Sequence, residues 1–189
     1  MSVHAQRQKT LSPEEYLKLE ASSSVRHEYV DGEIYAMTGG SLRHNVVAGN
    51  IFAALKAHLR GTPCRVFMSD AKLHLARDNR YYYPDVLVSC EERLRTLTPE
   101  ESVVAAPVLV VEVLSPATET IDRREKLSAY KKLESLKEYL LVDPDCCLAE
   151  LYRRVEGGWE WLKYDQEEAV ELSSVQFILP SSLLFEGLE

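Results

Sequence analysis

The alternation of apolar and polar positions divides the chain into a readable series of elements. Ser12-Pro13-Glu14-Glu15 offers an N-cap serine, a proline suited to a first helical turn and a glutamate three residues after the cap, which predicts a short helix to about Glu20. The period then shortens to two. Across residues 27–37, Asp31-Gly32 stands between two short β-prone runs and predicts a hairpin. Gly39-Gly40-Ser41 interrupts it, and Ser41 caps a predicted long helix through Arg60. Val46, Val47, Ile51, Leu55 and Leu59 form the apolar stripe of that helix, and Gly61-Thr62-Pro63 stops it. Strands are expected at 65–69, 72–76, 82–89 and 108–114. Thr98-Pro99-Glu100-Glu101 adds a capping pattern, hence a small helical turn, between the last two.

Residues 108–114, Val-Leu-Val-Val-Glu-Val-Leu, are almost continuously apolar, which suits a central strand covered on both faces; Glu112 interrupts the run. After Ser115-Pro116 the pattern predicts a helix from about Thr120 to Leu136, then a buried strand at 139–142 ended by Asp143-Pro144. Strand, helix, strand in that order implies a right-handed parallel crossover. The remainder reads as an antiparallel meander, 147–155 and 159–164 joined by Glu156-Gly157-Gly158, with a C-terminal apolar segment at 177–184. The expected fold is one α/β domain over residues 1–189. It has a central mixed β-sheet flanked by helices, an N-terminal hairpin and a C-terminal antiparallel extension.

Composition supports this picture and narrows the chemistry. With 46% apolar and 28% charged residues, the 189-residue chain has the balance of an ordinary globular protein. Its first twenty residues hold no apolar run suited to a signal peptide, and no stretch is apolar enough to span a bilayer, so a cytoplasmic location is expected. Cys64, Cys90, Cys146 and Cys147 form no CxxC pair and are read as reduced thiols in or near the core. Histidines and cysteines lack zinc-ligand spacing, and neither a Gly-rich phosphate loop nor a nucleophile elbow is present. The net charge of −8 argues against tight non-specific binding to phosphates.

Two carboxylates stand where the pattern is otherwise buried: Asp85 after Pro84, and Glu112 within its valine-rich run. An unpartnered buried carboxylate costs several kcal/mol on an order-of-magnitude basis, so a cation must lie near. If the two strands are neighbours, both side chains converge on one point, as an oxygen-seeking divalent cation requires. Helical phase supplies a third group. At about 100° per residue, Leu127, Tyr130 and Leu133 define the inward face of the predicted helix, and Lys126 falls between Tyr130 and Leu133.

Tyr83-Pro84-Asp85 and Glu112-Val113-Leu114, about 27 residues apart, resemble the PD and (D/E)XK elements of the restriction-endonuclease-like superfamily. More narrowly, the chain resembles the Uma nuclease family. The similarity runs through His-Glu-Tyr-Val-Asp-Gly-Glu-Ile, Arg43-His44-Asn45, Tyr-Pro-Asp-Val and Val-Glu-Val-Leu-Ser-Pro, then Asp122 with Lys126 and Tyr130, then Glu138-Tyr139 through Pro144. One departure is that Leu114 occupies the usual lysine position, for which Lys126 resembles a relocated substitute.

The resemblance implies a metal-dependent endonuclease acting on DNA. Asp85 and Glu112 would hold Mg²⁺ or Mn²⁺, Lys126 would orient water, Glu28 would add a carboxylate and His44 would approach from the long helix. A homodimer with a locally basic face would reconcile DNA as partner with the acidic charge. The plainer readings are a strand-end cap for Asp85, a metal-free ion pair with Lys126 for Glu112, solvation for Glu28, a hydrogen-bonded structural histidine for His44 and an N-terminal helix charge for Asp122. The rival function is a nuclease fold retained as a non-catalytic binding or regulatory module, and a third is hydrolysis of a smaller phosphodiester.

Overall fold

The computed structural model describes residues 10–37 and 39–188. The opening residues read for a leader segment therefore lie, through residue 9, outside the described part. Helix α1 (Pro13–Ser22) begins in the expected capping box, with Ser12 Oγ accepting from the Glu15 amide and the Glu15 carboxylate accepting from the Ser12 amide. The hairpin forms from β1 (His27–Val30) and β2 (Glu33–Ala36), and Asp31 and Gly32 turn it at φ of 49° and 99°. Helix α2 (Leu42–His58) follows its Ser41 cap.

Two sheets then share the chain. The first has order β2-β1-β5-β4-β7, where β4 is Lys72–Leu75, β5 is Arg80–Tyr82 and β7 is Val103–Val104. The second has order β11-β10-β9-β8-β6-β3. Its strands are β3 (Arg65–Met68), β6 (Val86–Ser89), β8 (Pro107–Val113), β9 (Glu138–Asp143), β10 (Leu148–Val155) and β11 (Gly158–Tyr164). Strands β8 and β9 run parallel, as the crossover reading requires, and the other neighbouring pairs of this sheet are antiparallel. A short pair, β12 (Val170–Leu172) and β13 (Phe177–Leu179), and helix α5 (Ser181–Leu184) complete the C-terminal segment.

The second sheet is covered on both faces, which explains its apolar strands. On one face Val86, Val88, Leu109, Val111 and Val113 pack with Val47, Ile51 and Leu55 of α2 and with Leu172, Leu179 and Leu184. On the other face Leu87, Val110, Tyr139 and Leu141 pack with Leu73, Leu75 and Tyr82 of the first sheet and with Tyr130. Tyr16, Tyr29 and Tyr81 fasten α1 to the first sheet, with ring centroids 5.0 to 6.0 Å apart.

Four local expectations are corrected. The single strand at 82–89 is two strands in different sheets, because Pro84 lacks the N–H that a continuing ladder needs and the chain crosses over there. The helix expected to Leu136 is α3 (Glu119–Ile121), a π-helical turn (Asp122–Lys126) and α4 (Leu127–Tyr130). It ends early because the Arg154 guanidinium donates to the carbonyls of Lys131, Leu133 and Leu136, satisfying groups that a longer helix would use itself. Thr98-Pro99-Glu100-Glu101 closes only a single hydrogen-bonded turn, with the Glu101 amide donating to the Thr98 carbonyl and the Thr98 amide to the Glu101 carboxylate, and the short helix stands earlier, at Glu92–Arg95. Finally, Cys64 and Cys90 are disulfide-bonded rather than reduced. They adjoin the paired ends of β3 and β6, where Arg65 faces Ser89, so sheet register and not local spacing brings them together.

Candidate active site

Asp85 stands at the entry to β6, directly after the proline break. Register pairs Val86 with Val111, and one step further sets Asp85 opposite Glu112. Its Oδ2 accepts from the Val113 amide at 2.7 Å, and its Oδ1 lies 2.9 Å from His44 Nε2. The histidine is delivered by the first turn of α2, where its amide donates to Ser41 Oγ. A Cβ on residue 40 would meet the imidazole at 2.7 Å, so Gly40 leaves the ring its place. The hydrogen bond to Asp85 raises the His44 pKa above its ordinary value of 6.5, against the opposing effect of burial. His44 Nδ1 is buried without a hydrogen-bond partner among the described residues.

Glu112, 3% exposed, points to the face opposite α2. Its Oε1 accepts from Lys126 Nζ at 3.1 Å and from the Tyr130 hydroxyl at 2.9 Å. Lys126 Nζ is also 3.1 Å from Glu28 Oε1 and 3.1 Å from Asp122 Oδ1. One ammonium thus sits among three carboxylates, and it faces the Tyr82 ring at 5.5 Å. Asp122 Oδ1 is close to that ammonium but out of hydrogen-bonding alignment, and is a buried oxygen with no such bond among the described residues. Tyr83 donates its amide to Glu28 Oε1 at 3.4 Å, which joins the hairpin to the segment that carries Asp85.

Electrostatics follow from the count of charges. Burial raises the Glu112 pKa well above its ordinary value; Lys126 opposes this, while Asp122, Asp85 and Glu28 add to it. Burial alone would lower Lys126, but Glu112, Glu28 and Asp122 more than reverse it and hold the amine protonated. Four carboxylates therefore share one ammonium and one imidazole. For Glu112, burial favours the protonated form.

The structure brings together Asp85, Glu112, Lys126, Glu28 and His44, although as two linked clusters: Asp85 with His44, and Glu112 with Lys126 and Glu28. Lys126 is 5% exposed and points inward as its helical phase predicts, and Leu114 is buried in the core. Asp122 is more than a helix charge, being 1% exposed and paired with Lys126. Its i, i+4 spacing to Lys126 was the available signal. Tyr130 was legible as an inward residue but not as the group that fixes Glu112. Glu20 gave no signal at all: it is buried, accepts from the His27 amide and the Tyr83 hydroxyl, and burial's upward pull on its pKa is outweighed by those bonds.

The donor chemistry, though not a ready-made three-ligand cage, is that of a hard divalent cation: every carboxylate of the cluster offers oxygen, negative charge is in excess, and Asp122 Oδ1 lacks a hydrogen-bond partner among the described residues. Among the described residues no three acidic, histidine or cysteine groups stand close enough together to ligate one ion. Lys126 instead provides the central positive charge.

The fold and this acidic face define a nuclease-like α/β protein. The chain belongs to the Uma2 family, described as "Putative restriction endonuclease", whose model matches residues 13–181. It is similar to the protein slr1290 of Synechocystis sp., with 38% identity over 179 residues, covering 94% of this chain and 93% of that one. A second Synechocystis protein, sll1609, is 34% identical over 154 residues, 82% of this chain and 86% of its own length. Among solved structures, an Anabaena variabilis protein described as "a putative nuclease belonging to DUF820" superposes with a TM-score of 0.77 at 21% identity, covering 95% of this chain and 99% of that one. That likeness establishes the fold.

Proposed function

We propose that the protein is a metal-dependent endonuclease that hydrolyses DNA phosphodiester bonds. The observation that carries this reading is the buried Glu112, opposite Asp85 in register, on a face with more carboxylates than cations. Family membership supports nuclease chemistry. Asp85 and Glu112 would hold Mg²⁺ or Mn²⁺, while Glu28 would stay on Lys126 and fix its ammonium. When bound, that ion would polarise the scissile phosphate and lower the pKa of a water molecule.

The remaining groups have roles set by their contacts. Lys126 keeps its proton and supplies positive charge where a phosphate's negative charge would develop. Tyr130 holds Glu112 Oε1, and His44 and the Val113 amide hold the two oxygens of Asp85. The test is incubation of purified protein with plasmid, linear and branched DNA in Mg²⁺ or Mn²⁺, beside Asp85→Ala and Glu112→Ala. Each substitution is expected to lower cleavage by about 10²-fold or more, the usual scale for removing a group that stabilises transition-state charge. Cleavage that survives both substitutions overturns the assignment.

One observation favours a second reading, the non-catalytic module: the Lys126 ammonium already stands at the centre of the pocket formed by Glu28, Glu112 and Asp122, where a metal ion would otherwise sit. Calorimetry separates the two. Well-folded wild-type protein that takes up neither Mg²⁺ nor Mn²⁺ would favour the module.

A further inference from the structure

The sheet face that carries Glu112 does not stop at the acidic cluster. Register places Glu112 beside Leu141, Leu141 beside Glu150, and Glu150 beside Lys163, a line across β8, β9, β10 and β11. At about 4.8 Å per strand, Lys163 lies roughly 15 Å from Glu112 along the sheet. The next pairs along β10 and β11 are Tyr152 with Trp161 and Arg154 with Trp159. Alternation of side chains therefore sets Tyr152, Arg154, Trp159, Trp161 and Lys163 on the same face as Glu112. Lys131, at the end of α4, reaches over it.

These groups are not equivalent. Lys131 Nζ lies 4.7 Å from the Tyr152 ring and 5.8 Å from the Trp159 ring, and the Arg154 guanidinium lies 4.5 Å from Trp159. Tyr152 and Trp159 thus hold cations in place. Trp161 is 55% exposed, and among the described residues no ring or cation stacks on it. Its Nε1 donates to Glu150 Oε2 at 3.1 Å, which fixes the indole by its edge and leaves the ring face available. Glu150 is itself neutralised by Arg123 at 2.6 Å. In a chain of net charge −8 this strip collects three cations around an open indole, with its acid already paired.

We propose that this strip binds single-stranded nucleic acid, one base stacking on Trp161 while Lys131 and Lys163 meet the phosphates and Arg154, held on the carbonyls at the end of α4, adds positive charge. Stacking on an indole accepts any base, and the cations provide charge complementarity to the phosphates. A second copy of the chain is the poorer occupant, because a symmetric contact here would set the same cations against each other. The inference rests on the nuclease reading and deepens it: the strand handed to Glu112 would be unpaired.

The test measures binding, not cleavage. Full-length protein in EDTA is titrated into fluorescein-labelled dT20, rU20 and a duplex of equal length, with anisotropy and tryptophan quenching as readouts. Tight binding of either single strand with weaker binding of the duplex is expected, and the dT20 and rU20 arms decide between DNA and RNA. Trp161→Ala should weaken single-strand binding on the order of tenfold, Trp161→Phe should restore most of it, and Lys163→Ala should reduce the salt slope by about 0.7. Equal binding by Trp161→Ala and wild type overturns the proposal, as does preference for the duplex. Loss of a dimer in Trp161→Ala, seen by sedimentation without single-strand binding by wild type, also overturns it. Binding through Trp161 without cleavage would leave this inference standing and remove only the enzymatic reading.

Discussion

Glu112 on β8 and Glu138 on β9 are buried glutamates on neighbouring central strands, yet their surroundings differ in kind. Glu138, on the α2 side, is fully buried and accepts from Arg153 Nε, from the Ser173 amide and hydroxyl, and from the Ser174 amide. Both of its oxygens are answered by donors. Glu112 on the other face shares one ammonium with two further carboxylates and has Asp85 near by. Burial of a carboxylate alone therefore does not mark a functional site. The ratio of acids to donors is what sets Glu112 apart from Glu138.

The largest effect that would break this contrast is on stability. Glu138→Ala strands Arg153 and three serine donors, and should destabilise the fold by about 3 kcal/mol in urea unfolding, with activity per folded molecule unchanged. A stable Glu138→Ala would mean that its donor shell is not structural.

Intermediate in size is the pH response of Glu112→Gln. Because the folded protein holds the Glu112 pKa above its unfolded value, wild-type stability from this group is present at acid pH and is lost as pH rises beyond the ordinary carboxylate range. The glutamine variant lacks that loss. Its stability relative to wild type should therefore rise from pH 4 to pH 8 in paired unfolding curves, and a flat difference would contradict the acid excess.

The smallest effect concerns His44→Gln. Asp85 raises the histidine pKa, so the bond's contribution, about 1 kcal/mol, is full below pH 6.5 and fades as pH climbs through the raised value. Thermal melts of the two proteins should differ most at pH 6 and converge in alkali.

Local pattern carried the fold further than it carried the site. The Ser12 capping box, the Ser41 cap, the Asp-Gly hairpin and the apolar run around Glu112 depend on neighbours in sequence, and they form where those neighbours predict. The early end of α4 depends on Arg154, some twenty residues on, and the Cys64–Cys90 bond on sheet register; neither leaves a local trace. For the site, Asp85, Glu112 and Lys126 were readable because charge interrupts an apolar pattern or a helical face. Asp122 left only its i, i+4 spacing to Lys126 as a signal, and Glu20 left none, since its burial is imposed by Tyr83 and His27 on other elements.

Strand β11 also bears on how the protein behaves at high concentration. It ends the six-stranded sheet, so one row of its backbone amides and carbonyls has no strand beside it among the described residues. Such a row invites another polypeptide to add on, and indoles on the same strand would strengthen the invitation. Glu160 and Lys163 are exposed along that strand, and any added strand would have to lie against both charges. The charges that serve as neighbours of Trp161 thereby also guard the edge against fibrillar growth.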